Sequence, residues 1–186
     1  MTGLARVRTR EQISDVVNLA REIWTEHYVP IIGPEQIEYM LGKFQSASAI
    51  AAQLADGYEY HTVSHDGELV GYLAIVPDQD SGNAMLSKIY VRKSARGHGF
   101  GHAMLEFAED LCRERGLRTL WLTVNKNNSQ SLAWYLGAGF ENAGSTVQDI
   151  GGGFVMDDYR MEKTVDQKSP ARDVPTDHGA ARRRRP

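Results

Sequence analysis

Cysteine is nearly absent from this chain, and so are long apolar runs. The single Cys112 excludes an intramolecular disulfide, and its position on an apolar helical stripe reads as a small buried side chain rather than a nucleophile. No stretch approaches the roughly 18 consecutive apolar residues that a membrane span needs. No charged segment followed by an apolar run of signal length opens the sequence, so the expectation is a cytoplasmic protein with no membrane partner. The six histidines form no His-x-x-x-His unit carrying an acid and have no cysteine partners, so no metal site is expected. What remains is ordinary. With 186 residues, 41% hydrophobic and 24% charged, the chain can fill one core, and one domain over residues 1–165 is expected.

The residues after 165 have no hydrophobic periodicity, contain three prolines and end in Arg182-Arg183-Arg184-Arg185, which predicts a disordered basic tail over 166–186. Its six basic residues against three acidic ones leave +3 of the chain's −3, so the domain carries −6. Clustered arginine attracts phosphate, but four arginines at a terminus are weak grounds for a nucleic-acid partner, and none is expected.

Periodicity supplies the architecture. Leu4 to Arg8 alternates as a short strand, and Glu11 to Glu26 carries an apolar stripe of Ile13, Val16, Val17, Ala20, Ile23 and Trp24, capped by Thr9 or Arg10. Pro30 and Pro34 predict that residues 27–34 leave the helix as an apolar loop. A second helix starts at Pro34, and Ala47 to Ala55 could add a short third. The period then falls to two, with Asp66-Gly67 and Gly151-Gly152-Gly153 each joining two strands as a hairpin. The order predicts an α/β (α+β) fold with a mixed central sheet of about seven strands and helices on both faces.

The most informative segment is Arg96-Gly97-His98-Gly99-Phe100-Gly101, between the strand-like Met85 to Val91 and an amphipathic helix bearing Met104, Leu105, Ala108 and Leu111. Glycines at a strand-to-helix junction let an anion approach the backbone, and the first amides of a helix have no partner within it. A diphosphate suits such a loop. A Walker loop would end Gly-Lys-Ser/Thr, but here the residues are Gly101-His102-Ala103; a dinucleotide-binding loop would space its glycines differently and bring an acid after the next strand, where Thr119 to Val124 has none. Downstream, the strand-like 117–124 leads into Asn128, Ser131 and Tyr135 and closes on Gly139-Phe140.

These two motifs, in this order and separation, resemble the GNAT superfamily of N-acetyltransferases, over residues 3–165 and most firmly over 84–163. The resemblance implies acetyl-coenzyme A as cosubstrate, with Arg96, Gly97, His98, Gly99, Phe100 and Gly101 around its pyrophosphate and Asn128 and Ser131 beside it. It also implies that a backbone amide of Ile89, Tyr90 or Val91 polarises the acyl carbonyl, and that Tyr135 is the general acid. A phenol of pKa about 10 can protonate a thiolate of pKa about 8.5 to 10 with modest help. Many relatives carry a glutamate on the strand before the loop as base; here Ser87, Lys88 and Tyr90 stand there. Glu26, His27, Asp157 and Asp158 remain as alternatives for that role. Specificity in such folds comes from the segments 24–33 and 150–159, whose aromatic and acidic residues suit a cationic small amine, polyamine or amino-sugar-like. Acetylation of a protein N-terminus or lysine, and a non-catalytic acyl-coenzyme A sensor, are the other readings. A homodimer is an expectation from the resemblance alone.

Overall fold

The computed structural model describes residues 2–167, so the expected tail from 168 onward lies outside the described residues. Seven strands form one sheet in the order β1-β2-β3-β4-β5-β7-β6. In chain order the elements are β1 (Thr2–Arg6), α1 (Arg10–Ile32), α2 (Pro34–Phe44), α3 (Ala47–Ala55), β2 (Glu59–His65), β3 (Glu68–Asp78), β4 (Asn83–Val91), α4 (Phe100–Glu114), β5 (Thr119–Asn125), α5 (Ser129–Gly137), β6 (Glu141–Gly151) and β7 (Phe154–Thr164). The two hairpins fall where Asp66-Gly67 and the triple glycine put them.

Alternation along the strands sends side chains to two cores. Leu73, Ile75, Leu120, Leu122 and Met161 meet Met104, Leu105, Ala108 and Cys112 of α4 on one face. On the other, Tyr60, Tyr72 and Ala74 meet Ile13, Val16, Ala20, Ile23 and Trp24 of α1 with Ile37, Leu41 and Ile50 of α2 and α3. Each such apolar side chain contributes about 2 kcal/mol relative to its exposed state. Helices therefore cover both faces of the sheet.

Thr9 is the cap of α1: its Oγ1 accepts from the Gln12 N–H at 3.2 Å while Gln12 Oε1 accepts from the Thr9 N–H at 3.0 Å. The expected loop over 27–34 does not form, because α1 runs on through Pro30 to Ile32. In the last turn a proline forfeits only one helical bond, to the Glu26 carbonyl, and Gly33 N–H still closes on the Val29 carbonyl at 3.0 Å. The extra turn in return packs Tyr28 against Trp24 and Tyr90, at ring-centroid distances of 5.8 and 6.2 Å.

Two irregularities shape the centre of the sheet. In the β3–β4 ladder Ala74 pairs with Lys88 but Ile75 pairs with Leu86, so Ser87 is an unpaired bulge. On its other side β4 runs parallel to β5 for only three rungs, Asn83↔Thr119 to Met85↔Trp121. Beyond them the strands diverge, as expected from the sequence for strands 84–91 and 117–124.

Candidate active site

Where β4 and β5 part, a cleft of about 510 Å³ passes through the sheet. Its β4 edge is set by the phase of the ladder. Arg92 N–H bonds the Val70 carbonyl of β3 at 2.8 Å, so by the two-residue alternation of an antiparallel pair Tyr90 also turns its amide toward β3. Ile89 and Val91 turn theirs the other way, into the cleft. Of the three candidate amides, then, Tyr90 contributes a side chain instead, on the α1 face, where its hydroxyl meets that of Tyr28 at 3.3 Å.

At one end of the cleft stands the glycine loop. A short 3-10 turn, Lys93–Ala95, leads into it, and Arg96 folds back so that its Nε donates to the Val91 carbonyl at 3.1 Å. Gly99 caps α4 in the left-handed region, φ 84° and ψ −3°, a conformation cheap only for glycine, and contributes no side chain to the cap. The first helical bond is Ala103 N–H to the Gly99 carbonyl, at 3.0 Å. The amides of Phe100, Gly101 and His102 precede it and point outward at the positive end of the helix dipole. An anionic diphosphate fits this end, since Cβ atoms at Gly97 and Gly99 would meet nothing within 4 Å. His98 is the exception among the loop residues: its ring turns back on the Ala95 and Arg96 carbonyls at 3.3 and 3.0 Å, and it does not line the cleft.

Across from β4 lies α5. Asn128 is its buried cap, and Asn128 Oδ1 accepts from the Ser131 N–H at 3.2 Å. That bond fixes the amide's orientation, so Asn128 Nδ2 must face His27 Nε2, 3.1 Å away. An amide nitrogen only donates, so His27 is the Nδ1–H tautomer with its one lone pair already engaged. Burial and, after it, the positive Arg96 hold the imidazole below its ordinary pKa, in keeping with a neutral ring. Tyr135, one helical turn beyond Ser131, is wedged between Trp134 and Phe140 at ring-centroid distances of 5.1 and 5.6 Å. Burial raises its phenol above the ordinary range, as it does for Tyr28 and Tyr90, so all three keep their protons through neutral pH.

Except for His98 and the base candidates Glu26, Asp157 and Asp158, every site residue expected from the sequence lines this cleft: Ile89, Tyr90, Val91, Arg96, Gly97, Gly99, Phe100, Gly101, Asn128, Ser131 and Tyr135, with His27. Tyr28 joins them from the segment 24–33 expected to set specificity, on a helix rather than a loop, and His102, Gln130 and Trp134 join them without an expected role. His102 and Trp134, which pack at 5.5 Å, carry no local motif. Of the four proposed bases, Glu26 is tied to Lys93 at 3.2 Å and Asp157 to Lys126 at 2.5 Å, both half-exposed. Among the described residues no group of three or more His, Cys, Asp or Glu is arranged to hold a metal ion, and no helix is long and apolar enough to cross a membrane.

A sheet split at its centre, with freed strand amides on one lip and unpartnered helix-start amides at one end, is the site of a chain whose family and relatives are acyltransferases. The chain belongs to the acetyltransferase (GNAT) family, whose model matches residues 15–140. It is 27% identical over 159 residues to an uncharacterized N-acetyltransferase of Lactobacillus delbrueckii, covering 81% of this chain and 92% of that one. Shorter matches link it to streptothricin acetyltransferase of Streptomyces lavendulae, 32% identical over 48% of each chain. Another is the ribosomal protein bS18-alanine N-acetyltransferase of Escherichia coli, 29% identical over 53% of this chain and 65% of that one. In fold it is similar to the PaiA N-acetyltransferase of Thermoplasma acidophilum solved with coenzyme A, with a TM-score of 0.73 at 21% identity over 88% of this chain and 99% of that one. The expected family and fold are both confirmed.

Proposed function

We propose that this chain transfers the acetyl group of acetyl-coenzyme A to the primary amine of a small molecule, by direct attack with both substrates bound. The observation that carries the reading is the continuity of one cleft, from the amides at the start of α4 to the Tyr28–Tyr90 pair on the α1 face. When bound, acetyl-coenzyme A supplies the activated thioester. Gly97, Gly99, Phe100 and Gly101 hold its diphosphate with main-chain amides, His98 adds its amide alone, and Arg96 adds charge beside them. The amides of Ile89 and Val91 stabilise negative charge on the acyl oxygen, the term that most often dominates such reactions. Tyr135 protonates the departing sulfur; its phenol is a weaker acid for being buried, but the same dry surroundings make a thiolate a stronger base. Asn128 caps α5 through the Ser131 amide and ties that helix, which carries Tyr135, to His27 of α1.

A small amine is favoured by the kinship with an enzyme named for streptothricin, and by the aromatic Tyr28–Tyr90 pair that lines the cleft on the α1 face. Kinship with an enzyme named for a ribosomal protein N-terminus supports the second reading, a peptide amine. A non-catalytic sensor has no support from relatives named as enzymes. The test is thiol release from acetyl-coenzyme A at about pH 8, where much of a typical amine's reactivity is available, over spermidine, aminoglycosides, amino acids and short peptides. Turnover confined to small amines is the expected result; turnover confined to peptides selects the second reading, and none at all removes both.

A further inference from the structure

Of the four residues considered for the base, one is a carboxylate buried beside the cleft with no ion pair of its own among the described residues. Asp158 on β7 is 4% exposed. It pairs with Asn125 across the β5–β7 ladder, two residues from Thr123. Leu122 and Val124 face the α4 core, so Thr123 and Asn125 face α1, and Asp158 shares that face with them. Thr123 lines the cleft, and across the β5–β7 ladder it is the diagonal neighbour of Asp158 on that same face, within reach of its carboxylate.

We infer that Thr123 and Asp158 form the proton acceptor for the amine substrate, the Thr123 hydroxyl receiving the ammonium's proton as it passes its own to the Asp158 carboxylate. This rests on the acetyltransfer reading above. The other candidates are occupied, Glu26 by Lys93, Asp157 by Lys126, and the lone pair of His27 by Asn128. The protons balance. One leaves the ammonium for Asp158 and then water; the freed lone pair forms the C–N bond as the C–S bond breaks. Tyr135 gives its proton to sulfur, and the second N–H proton restores the phenol.

The groups facing Asp158 are Thr123 and Lys126 on the β5 side, Asp157 beside it and Tyr28 from α1. Burial is the main influence and pushes its carboxyl above the usual range, followed by the Thr123 hydroxyl, which opposes the shift. A carboxylate with a raised folded pKa costs stability once the pH exceeds its unfolded value, and the cost is complete above the folded value. Its retention is then a burden that function explains.

The experiment compares wild type, Asp158→Asn and Thr123→Val in three readouts: kcat/KM for the amine against pH, coenzyme A affinity by calorimetry, and melting temperature at pH 4 and pH 8. In wild type an acid limb should mark the protonation of Asp158. In both variants that limb should vanish and kcat should fall about a hundredfold or more, with coenzyme A affinity unchanged. Asp158→Asn should melt no lower than wild type at pH 8, its advantage shrinking toward pH 4, where both side chains are neutral. Turnover within threefold of wild type, an unchanged acid limb, or a melting loss that tracks the lost activity each overturns the inference. Wild type that acetylates no amine overturns the acetyltransfer reading itself, and the inference with it.

Discussion

Gly99 offers the sharpest separation of backbone strain from charge. A Cβ there meets no atom within 4 Å, but φ is 84°, so any L side chain pays for the left-handed region. That cost is about 1 to 2 kcal/mol of stability and is common to alanine, glutamate and lysine. In Gly99→Glu the carboxylate also stands beside the amides of Phe100 and Gly101. At about 5 Å and an effective dielectric of about 20, it repels each facing phosphate charge by about 3 kcal/mol, more than a hundredfold in Kd. Calorimetric titration with coenzyme A should then give Gly99→Ala within about threefold of wild type and Gly99→Lys no weaker than alanine. Gly99→Glu should lose binding, with part of the loss recovered in high salt as the charges are screened. Equal affinities for the alanine and glutamate variants at low salt would refute the assignment of the loop to the diphosphate.

Tyr135→Phe should lower kcat by about a hundredfold to ten-thousandfold while leaving coenzyme A affinity unchanged, since the ring packing is kept and only the donor is lost. Lys88 is buried beside Gln53 and Ser87 and its amine is pushed down to about 8, from an ordinary 10.5, by burial. Below pH 8 the folded protein carries that whole penalty, up to about 3 kcal/mol. Urea titrations should therefore find Lys88→Met more stable than wild type at pH 7, with the advantage shrinking between pH 8 and 10.5. In Gly151→Ala the new Cβ would lie 2.6 Å from the Tyr39 hydroxyl at a φ of 85°, and about 2 kcal/mol of stability should be lost. Adding Tyr39→Phe should recover part of it, a coupling that a double-mutant cycle in chemical denaturation would measure.

The features legible in the sequence were those whose cause is local. Gly97 and Gly99 announce positive φ by lacking a Cβ, Asn128 announces a helix start, and Asp66-Gly67 announces a reversal; each needs only its neighbours. What stayed hidden depends on partners far along the chain. The direction of the Ile89, Tyr90 and Val91 amides is set by ladder phase against β3, and the unpaired Ser87 beside them shifts that register. The His27–Asn128 bond spans 101 positions, and its His27 end lies on a stretch of α1 that was expected to be loop. Local rules give Pro30 as a stop, yet the packing of Tyr28 outweighs one missing rung. Asp157 and Asp158 are indistinguishable as letters; only the β5–β7 register turns one outward to Lys126 and the other inward to Thr123.

Three rungs of parallel pairing also have a mechanical meaning. The sheet is two plates, one of β1, β2, β3 and β4 and one of β5, β7 and β6, and the hydrogen bonds joining them lie at one end of the seam. Such a seam can flex at its open end, and whatever occupies it acts as a splint between the plates. Filling the cleft should therefore restrain the two plates relative to each other. The Ile89 and Val91 amides, unpaired on the lip, are the natural reporters: their exchange with solvent tracks how far the two plates stand apart.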